Sequence, residues 1–82
     1  NLYKLMDGRA EALEFHIQKG SPVIGRPIKD LLLIDNLLIC SIYRKGKPMI
    51  PNGQDHMEED DLVVVVTTKK GLHDVKDILK RG

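Results

Sequence analysis

His56 stands in an acidic run with Asp55, Glu58, Glu59, Asp60 and Asp61. Hard carboxylate oxygens beside an imidazole are ligands for a divalent cation, and Asp55, His56, Glu58 and Asp61 form the candidate set. Their spacing follows neither a calcium-binding loop nor a two-histidine zinc helix. The plainer reading is a solvated turn, because four like charges in a row repel and are costly to bury unpaired. His16 alternates with apolar neighbours and reads as a surface or interface residue. His73, beside Asp74 at the start of an amphipathic segment, reads as solvent-facing. Cys40 is the single cysteine, so it has no partner for an internal disulfide. Inside a strand it acts as a small buried hydrophobe rather than a nucleophile, in keeping with a reducing compartment. No Ser/His/Asp or Cys/His arrangement can be drawn, and the glycines lie singly at turns rather than in a phosphate loop. Arg44-Lys45-Gly46-Lys47 is basic enough to meet a phosphate, and is also ordinary hairpin-turn chemistry. These residues do not point to an enzyme.

The elements that must position these groups centre on the stretch from Leu37 to Val66. Leu37 to Tyr43 is an apolar run between turn formers and reads as a strand covered on both faces. Gly46 supplies the positive φ of a hairpin turn. Met49 and Ile50 begin a return strand that Pro51 and Gly53 end. Leu62 to Val66, Leu followed by four Val, has no polar alternation and predicts a central strand, again covered on both faces.

Upstream, Asp7-Gly8 marks a turn. Leu13, Phe15 and Ile17 alternate with Glu14, His16 and Gln18, a half-buried strand. Pro27 is suited to the first position of a helix, and Ile28, Leu31 and Leu32 predict a short helix from Pro27 to about Leu32. Leu72, Val75, Ile78 and Leu79 predict a second, amphipathic helix, with Lys80 and Arg81 in its last turn and Gly82 as its stop. The pattern is a small α+β domain, β-α-β-β-β-α, with a mainly antiparallel sheet and helices on one face. The other sheet face is expected to be covered by a second copy. Residues 1–10 read as a linker or N-terminal extension and 11–82 as the domain.

The chain has 82 residues, enough for one domain near the lower limit of an independently stable core. A formal net charge of +1 and an aromatic content of 4% give no signal for nucleic acid or base stacking. No apolar run reaches transmembrane length, and no signal peptide is visible.

Five segments together resemble a known family. Glu11-Ala12-Leu13-Glu14-Phe15 is similar to its opening strand, and Gly25-Arg26-Pro27-Ile28-Lys29-Asp30-Leu31 to its G-x-x-L-x-x-L element. Ile39 to Gly46 resembles its I-x-x-I-x-R-x-G strand and turn, and Ile50-Pro51-Asn52-Gly53 its I-P-x-G corner. Asp60-Asp61-Leu62-Val63-Val64-Val65 resembles its last strand, with Asp60 where the family usually has Gly; Asp tolerates a left-handed turn better than most residues. The family is the C-terminal domain of regulators of potassium conductance, the TrkA_C type.

The resemblance implies a cytoplasmic, dimeric, non-catalytic regulatory module, peripheral to the membrane through a potassium channel or transporter. It also implies a preceding Rossmann-type domain; no dinucleotide fingerprint occurs in these residues, so no nucleotide cofactor is carried over from it. Some relatives bind cyclic di-AMP in the cleft between two such domains. Ile28, Asn36, Leu38, Pro51 and His56 occupy the places of that ligand set, with Arg44 as the phosphate contact and Leu33 or Ile34 where those relatives carry an arginine. Two alternatives remain beside ligand sensing at a dimer cleft: a divalent-cation sensor, and a purely structural dimerisation module.

Overall fold

The computed structural model describes residues 2–80. Arg81 and Gly82, the expected helix end and stop, lie outside these residues, as does Asn1. Five strands form one antiparallel sheet: β1 (Leu2–Leu5), β2 (Ala10–His16), β3 (Leu37–Arg44), β4 (Lys47–Met49) and β5 (Leu62–Thr67), in the order β1-β2-β5-β3-β4. The Val-rich strand is therefore central, as its composition predicts. Leu2–Leu5, within the expected linker, pairs with β2 as an edge strand.

One sheet face is dry. Leu13, Val65 and Ile39 lie in one cross-strand row, and Phe15, Val63 and Ile42 in the next. What covers them is loop and single 3₁₀ turns rather than helices: Val23, Leu31, Met57, Leu72, Val75 and Ile78 complete the core. The expected helix from Pro27 to Leu32 is one turn, Ile28–Asp30, and the expected C-terminal helix is one turn, Val75–Ile78. A helix needs its N–H and C=O groups for itself, and its first turn is costly to nucleate. Here those groups are taken elsewhere. The Ile28 and Lys29 N–H groups donate to the Asp55 and Gly53 carbonyls at 2.8 and 3.0 Å. Ile34 N–H donates to Ile78 C=O at 2.8 Å, and Lys80 N–H to Leu32 C=O at 2.7 Å. The spacing of three between Leu72, Val75 and Ile78 still places all three inward.

The other sheet face is not covered within the chain, so the cover expected on both faces of β3 and β5 is supplied on one face only by this chain's own loops. Register places Tyr3, Ala12, Val66 and Leu38 in one row, Glu14, Val64 and Ser41 in the next, and His16, Leu62 and Tyr43 in the third. Leu38 is 64% exposed and Tyr43 45%. A bulge between Ile39 and Ser41 leaves Cys40 half-buried, not fully buried as expected, with Sγ 3.8 Å from the Leu38 carbonyl. Without the bulge, Ile39 and Ile42 could not both point into the core, since side chains alternate along a strand.

Candidate functional site: a hollow at the start of β3 and an ion cluster at its end

Asn36 precedes β3 with φ +58, a left-handed conformation that Asn tolerates, and its carbonyl accepts the Thr68 N–H at 3.2 Å. This turn starts β3 beside the end of β5 and leaves a depression of about 360 Å³ lined by Asn36, Leu37, Leu38, Val66, Thr67 and Thr68. A second hollow of about 210 Å³ adjoins it through Leu37 and Leu38 and is walled by Ile28, Leu33, Ile39 and the Pro51-Asn52-Gly53 corner. Four of the expected ligand residues, Ile28, Asn36, Leu38 and Pro51, thus meet in two adjoining hollows. Leu38 also belongs to the uncovered sheet face, so the hollows open at its margin.

The hollow's wall is held by the pairing of residues 27–29 with the loop that follows β4. Besides the two backbone bonds already described, Pro27 and His56 form an antiparallel bridge. The corner holds itself: Asp55 accepts the Asn52 N–H at 2.7 Å, and the Asn52 side chain accepts the Gln54 N–H at 2.8 Å. A Cβ on Gly53 would lie 3.2 Å from the Lys29 Cβ, so the two segments touch there.

Arg44 and His56 sit in a separate cluster. Arg44 donates from Nε and Nη2 to the two oxygens of Asp61, each at 2.9 Å, and from Nη2 to the His56 carbonyl at 2.8 Å. Its Nη1 is 3.0 Å from Glu58, which also pairs with His56 Nε2 at 3.2 Å. Asp61 is fully buried and accepts the Glu58 N–H at 2.8 Å. Burial pushes the Asp61 carboxyl up. The Arg44 hydrogen bond, the Glu58 N–H and the nearby positive charges outweigh that and hold it below the usual carboxylate range. The Arg44 guanidinium is correspondingly raised, first by its hydrogen bond to Asp61.

The acidic turn is therefore not simply solvated. Asp60 pairs with His16 at 3.3 Å and adopts φ +71, the left-handed geometry expected where relatives of the resembled family have Gly. Asp55, Glu58 and Asp61 each hold other partners, and among the described residues no group of three or more His, Cys, Asp or Glu side chains is arranged to hold a metal ion. His73 uses its N–H to bond Asp77 at 3.0 Å, and its ring is exposed as expected.

Sequence reasoning did not single out Asp61 as a buried counter-ion, nor Lys29, whose neighbour Ile28 and backbone partner Gly53 line the hollow. A charged residue immediately before an all-apolar strand was the available signal for the first. No helix in the described residues is long and apolar enough to cross a membrane.

Comparison with known proteins identifies the family. The family model for the TrkA-C domain matches residues 12–80. A Trk system potassium uptake protein TrkA homolog from Archaeoglobus fulgidus is 35% identical over 87% of this chain and 16% of its own length. One from Pyrococcus abyssi is 33% identical over 88% of this chain and 32% of its own length. A K(+)/H(+) antiporter NhaP2 from Shewanella sp. is 24% identical over 88% of this chain and 12% of its own. The chain thus spans a third or less of each of these relatives. With its match running from the second strand to the paired C-terminal segment, this chain belongs to the TrkA-C domain family.

Proposed function

We propose that this domain is a non-catalytic, cytoplasmic regulatory module of a potassium uptake system, working as a homodimer that senses a ligand at the margin between two copies. The curated relatives supply the transport context: two are named for potassium uptake and one for potassium–proton exchange. The observation that carries the mechanism is the double placement of Leu38. It lines both hollows and stands on the apolar sheet face that the chain leaves uncovered. A stable interface covers roughly 800 Å² per partner, about a seventh of this chain's 5643 Å² surface. Val64, Val66, Leu62, Tyr43, Ala12 and Tyr3 provide an apolar face for it.

A second copy packed on that face would turn the two hollows into one cleft shared across the interface. A ligand there would prefer one arrangement of the two copies. That preference shifts the population and passes to the neighbouring domain, of Rossmann type where one precedes, and so to the transporter. Cyclic di-AMP is the ligand proposed, with its apolar contacts at Ile28, Leu38 and Pro51 and a polar one at Asn36.

The test is isothermal titration with cyclic di-AMP, alongside sedimentation. Saturation near one ligand per two chains, lost on Leu38→Arg, supports the reading. A protein that stays monomeric at high concentration and takes up no dinucleotide refutes it.

A further inference from the structure

Resting on that ligand reading, we propose that Lys29, rather than Arg44, is the cation that meets the ligand's phosphate, and that Arg44 is a positioning residue for the wall of the hollow. Arg44 is engaged on every side, by both oxygens of Asp61, by Glu58 and by the His56 carbonyl. Two carboxylates around one guanidinium leave an excess of negative charge that repels a phosphate. Arg44 is also six residues along β3 from Leu38, roughly 20 Å in an extended strand. What it does is tie the far end of the 50–61 loop to β3, while the near end of that loop supplies Pro51 and Gly53 to the hollow.

Lys29 is placed differently. Its chain neighbour Ile28 and its hydrogen-bond partner Gly53 both line the hollow. Its backbone and Cβ lie against Gly53, where an added Cβ would come within 3.2 Å of its own. Its ammonium has no ion pair or side-chain hydrogen bond among the described residues. Two other charged groups of these segments are turned to local partners: Arg26 donates to the Asp30 carbonyl at 3.2 Å, and Asp55 accepts the Asn52 N–H. A lysine ammonium on a flexible stem suits a phosphate as a point charge.

The experiment is titration with cyclic di-AMP at about 50 and 250 mM salt, across which an exposed charge pair is progressively screened. Lys29→Gln is expected to keep the wild-type unfolding midpoint, to bind about tenfold more weakly at low salt, and to lose most of the salt dependence. Lys29→Arg is expected to restore both. Arg44→Gln is expected to lower the unfolding midpoint and the affinity while the salt dependence stays. Lys29→Gln binding with wild-type affinity and salt dependence would overturn the assignment and leave the ligand reading standing. No saturable binding by the wild-type protein at either salt would overturn the ligand reading, and the assignment with it.

Discussion

Arg44 grips Asp61 with two parallel hydrogen bonds of 2.9 Å across 17 residues of sequence, joining the end of β3 to the residue that launches β5. Asp61 is fully buried and the Arg44 side chain is 25% exposed. Breaking such a pair leaves a charge without its partner. Arg44→Met is expected to cost about 3 kcal/mol, the lower end for a buried pair because Arg44 keeps some water. For a domain of this size that lowers Tm by roughly 15 °C. Urea unfolding followed by circular dichroism checks it, since the chain has no Trp. Arg44→Met combined with Asp61→Leu is expected to recover most of the loss, because neither charge is then stranded.

The same pair sets an acid limb. The Asp61 carboxyl is held below its ordinary value in the folded protein. The stability it contributes is therefore complete above the unfolded carboxylate pKa, near 4, and is lost as pH falls from there through the lower folded value. Denaturant unfolding between about pH 2 and 5 is expected to show this decline. In Asp61→Asn the protein is less stable at neutral pH and the decline is shallower.

Lys45 and Gly46 form the β3–β4 turn with φ +50 and +79, both left-handed. Glycine adopts this freely and lysine does not. Lys45→Asn, giving the Asn-Gly pair that such hairpins favour, is expected to raise stability by about 1 kcal/mol. A rise in the urea midpoint with an unchanged slope is the signature.

Ile78 is fully buried against the sheet although it lies in a single 3₁₀ turn. Ile78→Ala is expected to cost about 3 kcal/mol through lost burial and the cavity left behind. A change below about 1 kcal/mol, read from thermal or urea unfolding, would show that the C-terminal segment is not part of the cooperative core.

Leu38 and Tyr43 are exposed on the open face of β3. Leu38→Glu with Tyr43→Glu is expected to change the stability of the single chain by less than about 0.5 kcal/mol each, as exposed substitutions do. Sedimentation velocity is expected to show the wild type as a dimer and the double variant as a monomer. Unchanged sedimentation of the variant would place the self-association elsewhere.

The strands β2 to β5 were legible in the sequence because their signals are local, whereas Leu2–Leu5, short and of mixed polarity, read as linker. Alternation at Leu13, Phe15 and Ile17, the Leu-Val run from Leu62, and the Gly46 turn each specify a conformation within a few residues. The left-handed geometry of Asp60 was legible through the family resemblance, in which it stands at a Gly position. The family was legible for the same reason, as an ordered series of short motifs from Glu11 to Val65, and the family model matches residues 12–80. What only the tertiary structure decided is how segments remote in sequence use one another's polar groups. Residues 28–30 and 75–78 carry helical spacing, yet each stops after one turn because its backbone is bonded to a distant segment. Asp61 sits in a run of four acids and is buried only because Arg44, from another strand, neutralises it. The hollow likewise exists only where Ile28, Leu38 and Pro51 converge. Periodicity along the chain records which side of a residue is apolar; which partner meets that side depends on long-range pairing that no local pattern contains.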